Sequence, residues 1–137
     1  MTSQPNFHDG FLDGLLLDKS RIYIFLRTIS GGKYTLILHE MEALRANDFR
    51  EGNIILDVEF FESNQLDASF VLDVFQYSDE HKRRFVMEDW LRAAAQKRLT
   101  GVEISASYGG TLLAVFKSHE FVGGYLTSLP SGSPVNT

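Results

Sequence analysis

The sequence contains no cysteine, which excludes disulfides, thiol nucleophiles and every cysteine-ligated metal site. The same absence leaves the redox compartment open. No stretch approaches the roughly 18 consecutive apolar residues that a membrane-spanning helix requires. The opening Met1-Thr2-Ser3-Gln4-Pro5-Asn6 has no basic region leading into an apolar run, so it does not read as a secretory signal. A soluble, cytoplasmic protein is the expectation. HExxH, an EF-hand loop, a phosphate-cradling glycine loop and G-x-S-x-G are all missing, as are internal repeats and interdomain linkers.

Positive charge is also scarce. The formal net charge is −5, and residues 1–78 carry 6 Lys and Arg against 12 Asp and Glu. Residues 79–98 reverse the balance, with 6 basic and 4 acidic side chains. Phosphate binding needs concentrated positive charge, so nucleic acid is not an expected ligand. An acidic face suits solvation or docking of a basic protein.

The chain is rich in core-forming residues: 44% are hydrophobic, with 11 Phe and 5 Tyr among 137 residues. This is enough apolar surface to offset ordering entropy, and the length fits one domain. The expected unit covers residues 1–130, followed by a fraying tail over 131–137 that carries Pro134 and two serines.

Periodicity gives the fold class. Residues 11–39 contain three apolar stretches separated by Asp18-Lys19-Ser20 and Ser30-Gly31-Gly32, which predicts a three-stranded antiparallel meander. Residues 40–49 read as a short helix. Ile54, Leu56, Val58 and Phe60 alternate with Asp57 and Glu59, and Phe70, Leu72 and Val74 repeat the pattern, predicting two half-buried strands. Over residues 79–99, Val86, Met87, Trp90, Leu91, Ala94 and Ala95 form a helical apolar stripe, with Gly101 as its stop. Val102, Ile104, Ala106 and Tyr108 then alternate with polar residues. Gly109-Gly110 turns the chain into the strand Leu112–Phe116, and a weaker edge segment follows around residues 121–126. The fold class is α+β: a mainly antiparallel, twisted sheet with one principal amphipathic helix.

Candidate chemistry is sparse. His8, Asp9 and Asp13, with His39 at a strand end, hold the residue types of a metal site or an acid/base pair. A hydrolase would need at least three of them in one cleft, and capping or surface roles are the simpler assignment. Asp57 and Glu59 share one strand face and can bind a cation or a basic partner, or solvate the sheet. Arg45, Asp48, Phe49 and Arg50 mark a connection that can recognise a partner or tie itself down through ion pairs. His81, Lys82, Arg83 and Arg84 point around much of their helix, which favours a solvated face over an anion site. No cofactor is implied. The expected function is a non-enzymatic binding domain with a protein partner, or a homodimer joined through the aromatic residues Phe61, Phe75 and Tyr77 that interrupt polar strand faces.

Phe7-His8-Asp9-Gly10-Phe11-Leu12, the stretch Glu42 to Asp57 and the late Ser107-Tyr108-Gly109 together resemble small bacterial domains of uncharacterised proteins, some of them classed with immunity proteins of toxin systems. The resemblance covers roughly residues 7–60. It implies an α+β binding domain that occludes a toxin, and carries no catalytic residues with it.

Overall fold

The structure, a computed structural model, describes residues 4–47, 53–66, 70, 74, 80–107 and 110–126; of Asn53 and residues 80–87 the backbone alone is described. Among the described residues, eight strands form an antiparallel sheet: β1 (Phe11–Asp18), β2 (Arg21–Arg27), β3 (Lys33–His39), β4 (Ala43–Asn47), β5 (Asn53–Phe61), β6 (Thr100–Ala106), β7 (Thr111–Phe116) and β8 (Ser118–Gly123). A 3-10 turn spans Ser63–Gln65, and the principal helix α1 spans Glu80–Lys97. The strand order is β4-β7-β6-β5-β1-β2-β3-β8, and β1-β2-β3 is the meander the sequence predicts.

Chain continuity curls this sheet into a barrel. Only Lys117 separates β7 from β8, and residues 40–42 separate β3 from β4. Yet β4 pairs with β7 at one end of the order, and β3 pairs with β8 at the other. The ladder passes through the corner, where Glu42 N–H donates to Val115 and Lys117 N–H donates to His39. One long, bent two-stranded ribbon therefore joins both ends of the sheet. Among the described residues, one apolar cluster inside is fed by each of these strands, including Leu12, Ile24, Leu36, Leu44, Ile55, Ile104, Phe116 and Phe121.

A second, smaller core lies on the outside of β4 and β7. Ala43, Leu113 and Val115 meet Leu66, Phe70, Val74, Ala94 and Leu99, with Trp90 and Leu91 half-buried beside them. The helix thus covers the sheet as its stripe predicts, except that Ala95 faces solvent. Val86 and Met87 lie among the residues whose side chains are outside the description.

Several sequence expectations are corrected. Residues 43–47 are strand rather than helix: the segment continues the β3 ribbon, and pairing with β7 overrides a weak local preference. Phe70 and Val74 are helical, and both are buried on one side four residues apart, a spacing that fits one helix face as well as one strand face. Leu72, Asp73, Phe75 and Tyr77 lie outside the described residues, as do Tyr108, Gly109 and the 131–137 tail. In β5 a bulge between Ile55 and Asp57 shifts the alternation, so Ile55, Val58 and Phe60 face the core while Leu56 faces out.

The helix stops before Gly101. Arg98 adopts φ 55°, Leu99 N–H donates to Ala94 and Arg98 N–H donates to Ala95, a Schellman closure at a position that glycine would fill with less strain. Gly101 instead lies within β6, where a Cβ would meet Leu66 Cδ2 at 2.7 Å and Phe70 Cζ at 3.0 Å. Its missing side chain lets the second core close on the sheet.

Candidate functional site

Opposed residues of an antiparallel ladder share a face, so the registers sort the outer side of β4-β7-β6-β5 into three rows. Ala43, Val115, Gly101 and Phe61 form the first row, and this belongs to the core beneath the helix. Arg45, Leu113, Glu103 and Glu59 form the second. Asn47, Thr111, Ser105 and Asp57 form the third. The face therefore changes from apolar to polar within about 14 Å along the strands, at about 3.4 Å per residue.

Three of the sequence candidates, Arg45, Asp57 and Glu59, thus occupy one surface. Across it, β4 and β5 are three strand spacings apart, about 14 Å. Asp57 and Glu59 are exposed, whereas Arg45, Glu103, Ser105 and Thr111 are half-buried. Arg45, Asn47, Thr111 and Leu113 line a cleft of about 160 Å³. Small-molecule pockets usually run from roughly 300 to 1,000 Å³, so this cleft admits a single side chain or a few waters. Glu59 lies directly opposite Glu103. Asp48, Phe49 and Arg50 follow Asn47 in the chain, outside the described residues.

The acid/base candidates occupy three local settings. His8 donates from Nδ1 to the Leu56 carbonyl at 2.7 Å, and its Nε2 stands 3.7 Å from Asp9. The carbonyl contact and then the Asp9 charge hold its pKa above the ordinary value. His39 Nε2 stands 3.5 Å from Glu120. His39 adjoins the pair Ile22–Leu38, whereas Asp13 contacts Arg27 at the far end of β2, about 17 Å along the strand. Among the described residues, no group of three or more His, Asp or Glu side chains is placed to hold a metal ion.

Asp13 belongs to a clamp. Arg27 donates to it from Nε at 2.9 Å and from Nη2 at 3.2 Å, and the Tyr125 hydroxyl donates to the same carboxylate. Arg27 also stacks 4.3 Å over the Phe11 ring, while Tyr125 packs on Phe25 at 5.3 Å. The Arg27 hydrogen bonds hold the Asp13 carboxyl below its usual range. Burial, with the Asp13 contact, pushes Tyr125 up to about 12. Buried Thr35 completes the tie, donating to the Gly124 carbonyl at 2.7 Å and accepting from Leu126 N–H at 2.9 Å.

This clamp makes stability depend on pH at both extremes. Asp13, with its folded pKa depressed, stabilises fully above its unfolded value of about 3.9, and the contribution is lost as pH falls through the folded value. Tyr125, with its pKa raised, stabilises below about 10, and that contribution is lost as pH rises toward about 12. Urea midpoints measured against pH are expected to fall in both windows for the native chain. Asp13→Asn is expected to remove the acid-side component and Tyr125→Phe the alkaline one. An unchanged pH profile in either variant would contradict the clamp.

At the mouth of the barrel, His119 stacks on Phe60, with centroids 4.3 Å apart and planes 17° apart, and meets Phe116 and Phe121 edge-on. Burial lowers its pKa. Phe7 stacks on Phe121 and meets Tyr34 edge-on, each at 5.7 Å, so the N-terminal segment helps plug the same end.

No protein-family model matches the chain. Comparison with curated proteins and with solved structures likewise finds no similar chain. The site therefore rests on its own geometry. Sequence reading missed Asn47, Thr111, Leu113 and Glu103, because their membership depends on cross-strand register. The alternation of Glu103 and Ser105 against Val102 and Ile104 was the available signal for the face, but it carries no information about which strands lie alongside.

Proposed function

We propose that this chain is a non-enzymatic protein-interaction domain that engages a basic partner through the polar rows of the β4-β7-β6-β5 face. The observation that carries this reading is the register that sets Glu59 opposite Glu103, with Asp57 two residues from Glu59 on the same side. Asp57 and Glu59 are both exposed on this side, so a cationic side chain docked beside them gains from complementary charge. The cleft beside Arg45 and Asn47 supplies a shaped, polar socket for a neighbouring side chain. The resemblance to immunity domains gives this partner a concrete form: a toxin whose working surface the face covers.

The hydrolase reading gains no support from the described geometry. Its candidates divide among a His8–Asp9 contact, an Asp13 clamp and a His39–Glu120 contact.

Glu59→Lys separates binding from folding. Glu59 is exposed, so stability is expected to change by no more than about 0.5 kcal/mol. Affinity for a lysine- and arginine-rich synthetic peptide is expected to fall about tenfold, or about 1.4 kcal/mol. NMR titration of the native chain should place the shifts on the amides of residues 57, 59, 103 and 105. Shifts confined to another surface, or equal affinity in the variant, would refute the assignment.

A further inference from the structure

We propose that the outer edge of β1 is a second, independent docking surface, which accepts an extended segment of a partner protein as an added strand, apolar at its centre and basic at the end that meets Asp18. The edge arises where β1 and β5 part. Their ladder holds only the pairs Phe11–Ile54 and Leu12–Asn53, after which a bulge between Leu12 and Gly14 turns β1 away. From Asp13 to Asp18, β1 pairs with β2 on one side and, among the described residues, with no strand on the other. Alternation in an antiparallel ladder directs every second residue's N–H and C=O toward that open side.

The side chains along this edge differ from those that usually protect one. Natural sheets blunt their edges with lysine, proline or inward-pointing charge. Here the sequence between the two aspartates is Gly14-Leu15-Leu16-Leu17. Leu15 packs on the barrel core, but Leu16 is 37% exposed and Leu17, on the opposite side of the strand, 52% exposed. An added strand would cover both and satisfy the outward backbone groups, the recognition mode in which main-chain hydrogen bonds give affinity and side chains give selectivity.

Charge selects the occupant. A second copy pairing antiparallel over the full segment would bring its own Asp13, already paired with Arg27, to Asp18, and so offers that carboxylate no free cation. Asp13 is already neutralised by Arg27, so the exposed Asp18 carries most of the preference. A partner strand with lysine or arginine facing Asp18 matches the edge.

The test uses the full chain and two seven-residue peptides, each alternating valine and threonine, one with lysine ends and one with glutamate ends. The lysine-ended peptide is expected to bind at least tenfold more tightly, and to slow amide exchange selectively over residues 13–18. Asp18→Lys, confirmed folded by circular dichroism, is expected to abolish or reverse that preference. Three results would overturn the proposal: equal binding of both peptides, protection elsewhere with none in β1, or β1 protection that appears without peptide as the chain dimerises in sedimentation. Because Glu59→Lys leaves β1 intact, its effect on the acidic face and the effect of Asp18→Lys here can fail separately.

Discussion

Gly10→Ala is expected to destabilise the protein by about 3 kcal/mol or more, enough to remove a large part of the stability of a domain this size. Gly10 sits at the junction where the N-terminal segment turns into β1. Its N–H donates to Phe7, and its carbonyl accepts from Ile55 N–H. A methyl group there would overlap the carbonyl oxygen of Arg27 and meet that of Phe7 at 3.0 Å. Both obstacles are backbone. Arg27 is held in register by Phe11 on one side and Lys33 on the other, so it cannot retreat without breaking two ladders. Urea unfolding gives the comparison directly, with Gly123→Ala as the control, because a Cβ at Gly123 meets nothing within 4 Å. A near-neutral Gly10→Ala would mean that the β1–β5 junction yields, and the barrel would then be looser there than its hydrogen bonds indicate.

Phe116→Ala is expected to cost about 3–5 kcal/mol, the range for truncating a buried phenylalanine. Phe116 is fully buried, lies 6.4 Å from the Phe60 ring, and ends β7 just before the corner at Lys117. It also screens one edge of His119. The variant therefore has a second readout. His119 is already exposed in part; with the ring removed, more of the imidazole meets water, and its lowered pKa should move back up toward the ordinary value of about 6.5. In the native chain that depression stabilises above the unfolded value, and the gain is lost as pH falls through the folded one. An NMR titration of His119 in which the variant matches the native chain would show that Phe116 does not control its hydration.

Strands with unbroken alternation were legible in the sequence. Val102, Ile104 and Ala106 face the core as their spacing demands, and the β1-β2-β3 meander follows its turn residues. Legibility failed wherever long-range pairing outweighed local pattern. Leu56 reads as core because it falls two residues from Ile54 and Val58, but the bulge beside it reverses the phase. Residues 43–47 read as helix until their pairing with β7 is known. Phe70 and Val74 fit either period over so short a span. The candidate surface was half legible for the same reason. Asp57 and Glu59 announce a shared side through their spacing, whereas Arg45 and Glu103 join them only through the order β4-β7-β6-β5. His8, Asp9 and Asp13 looked like one cluster because they are close in sequence. Asp13 instead reaches forward to Arg27 and Tyr125, neither of which spacing could single out.

The bent ribbon sets a timetable for synthesis and folding. The β1-β2-β3 meander can assemble from neighbours in the chain, but Tyr34 finds its partner at Gly123 and Asn47 finds its partner at Thr111. Contacts this distant in sequence slow the search for the native state. During translation, the second edge of β3 and the whole of β4 must therefore wait until nearly the whole described chain has left the ribosome. That interval is the one in which this protein would depend most on a chaperone.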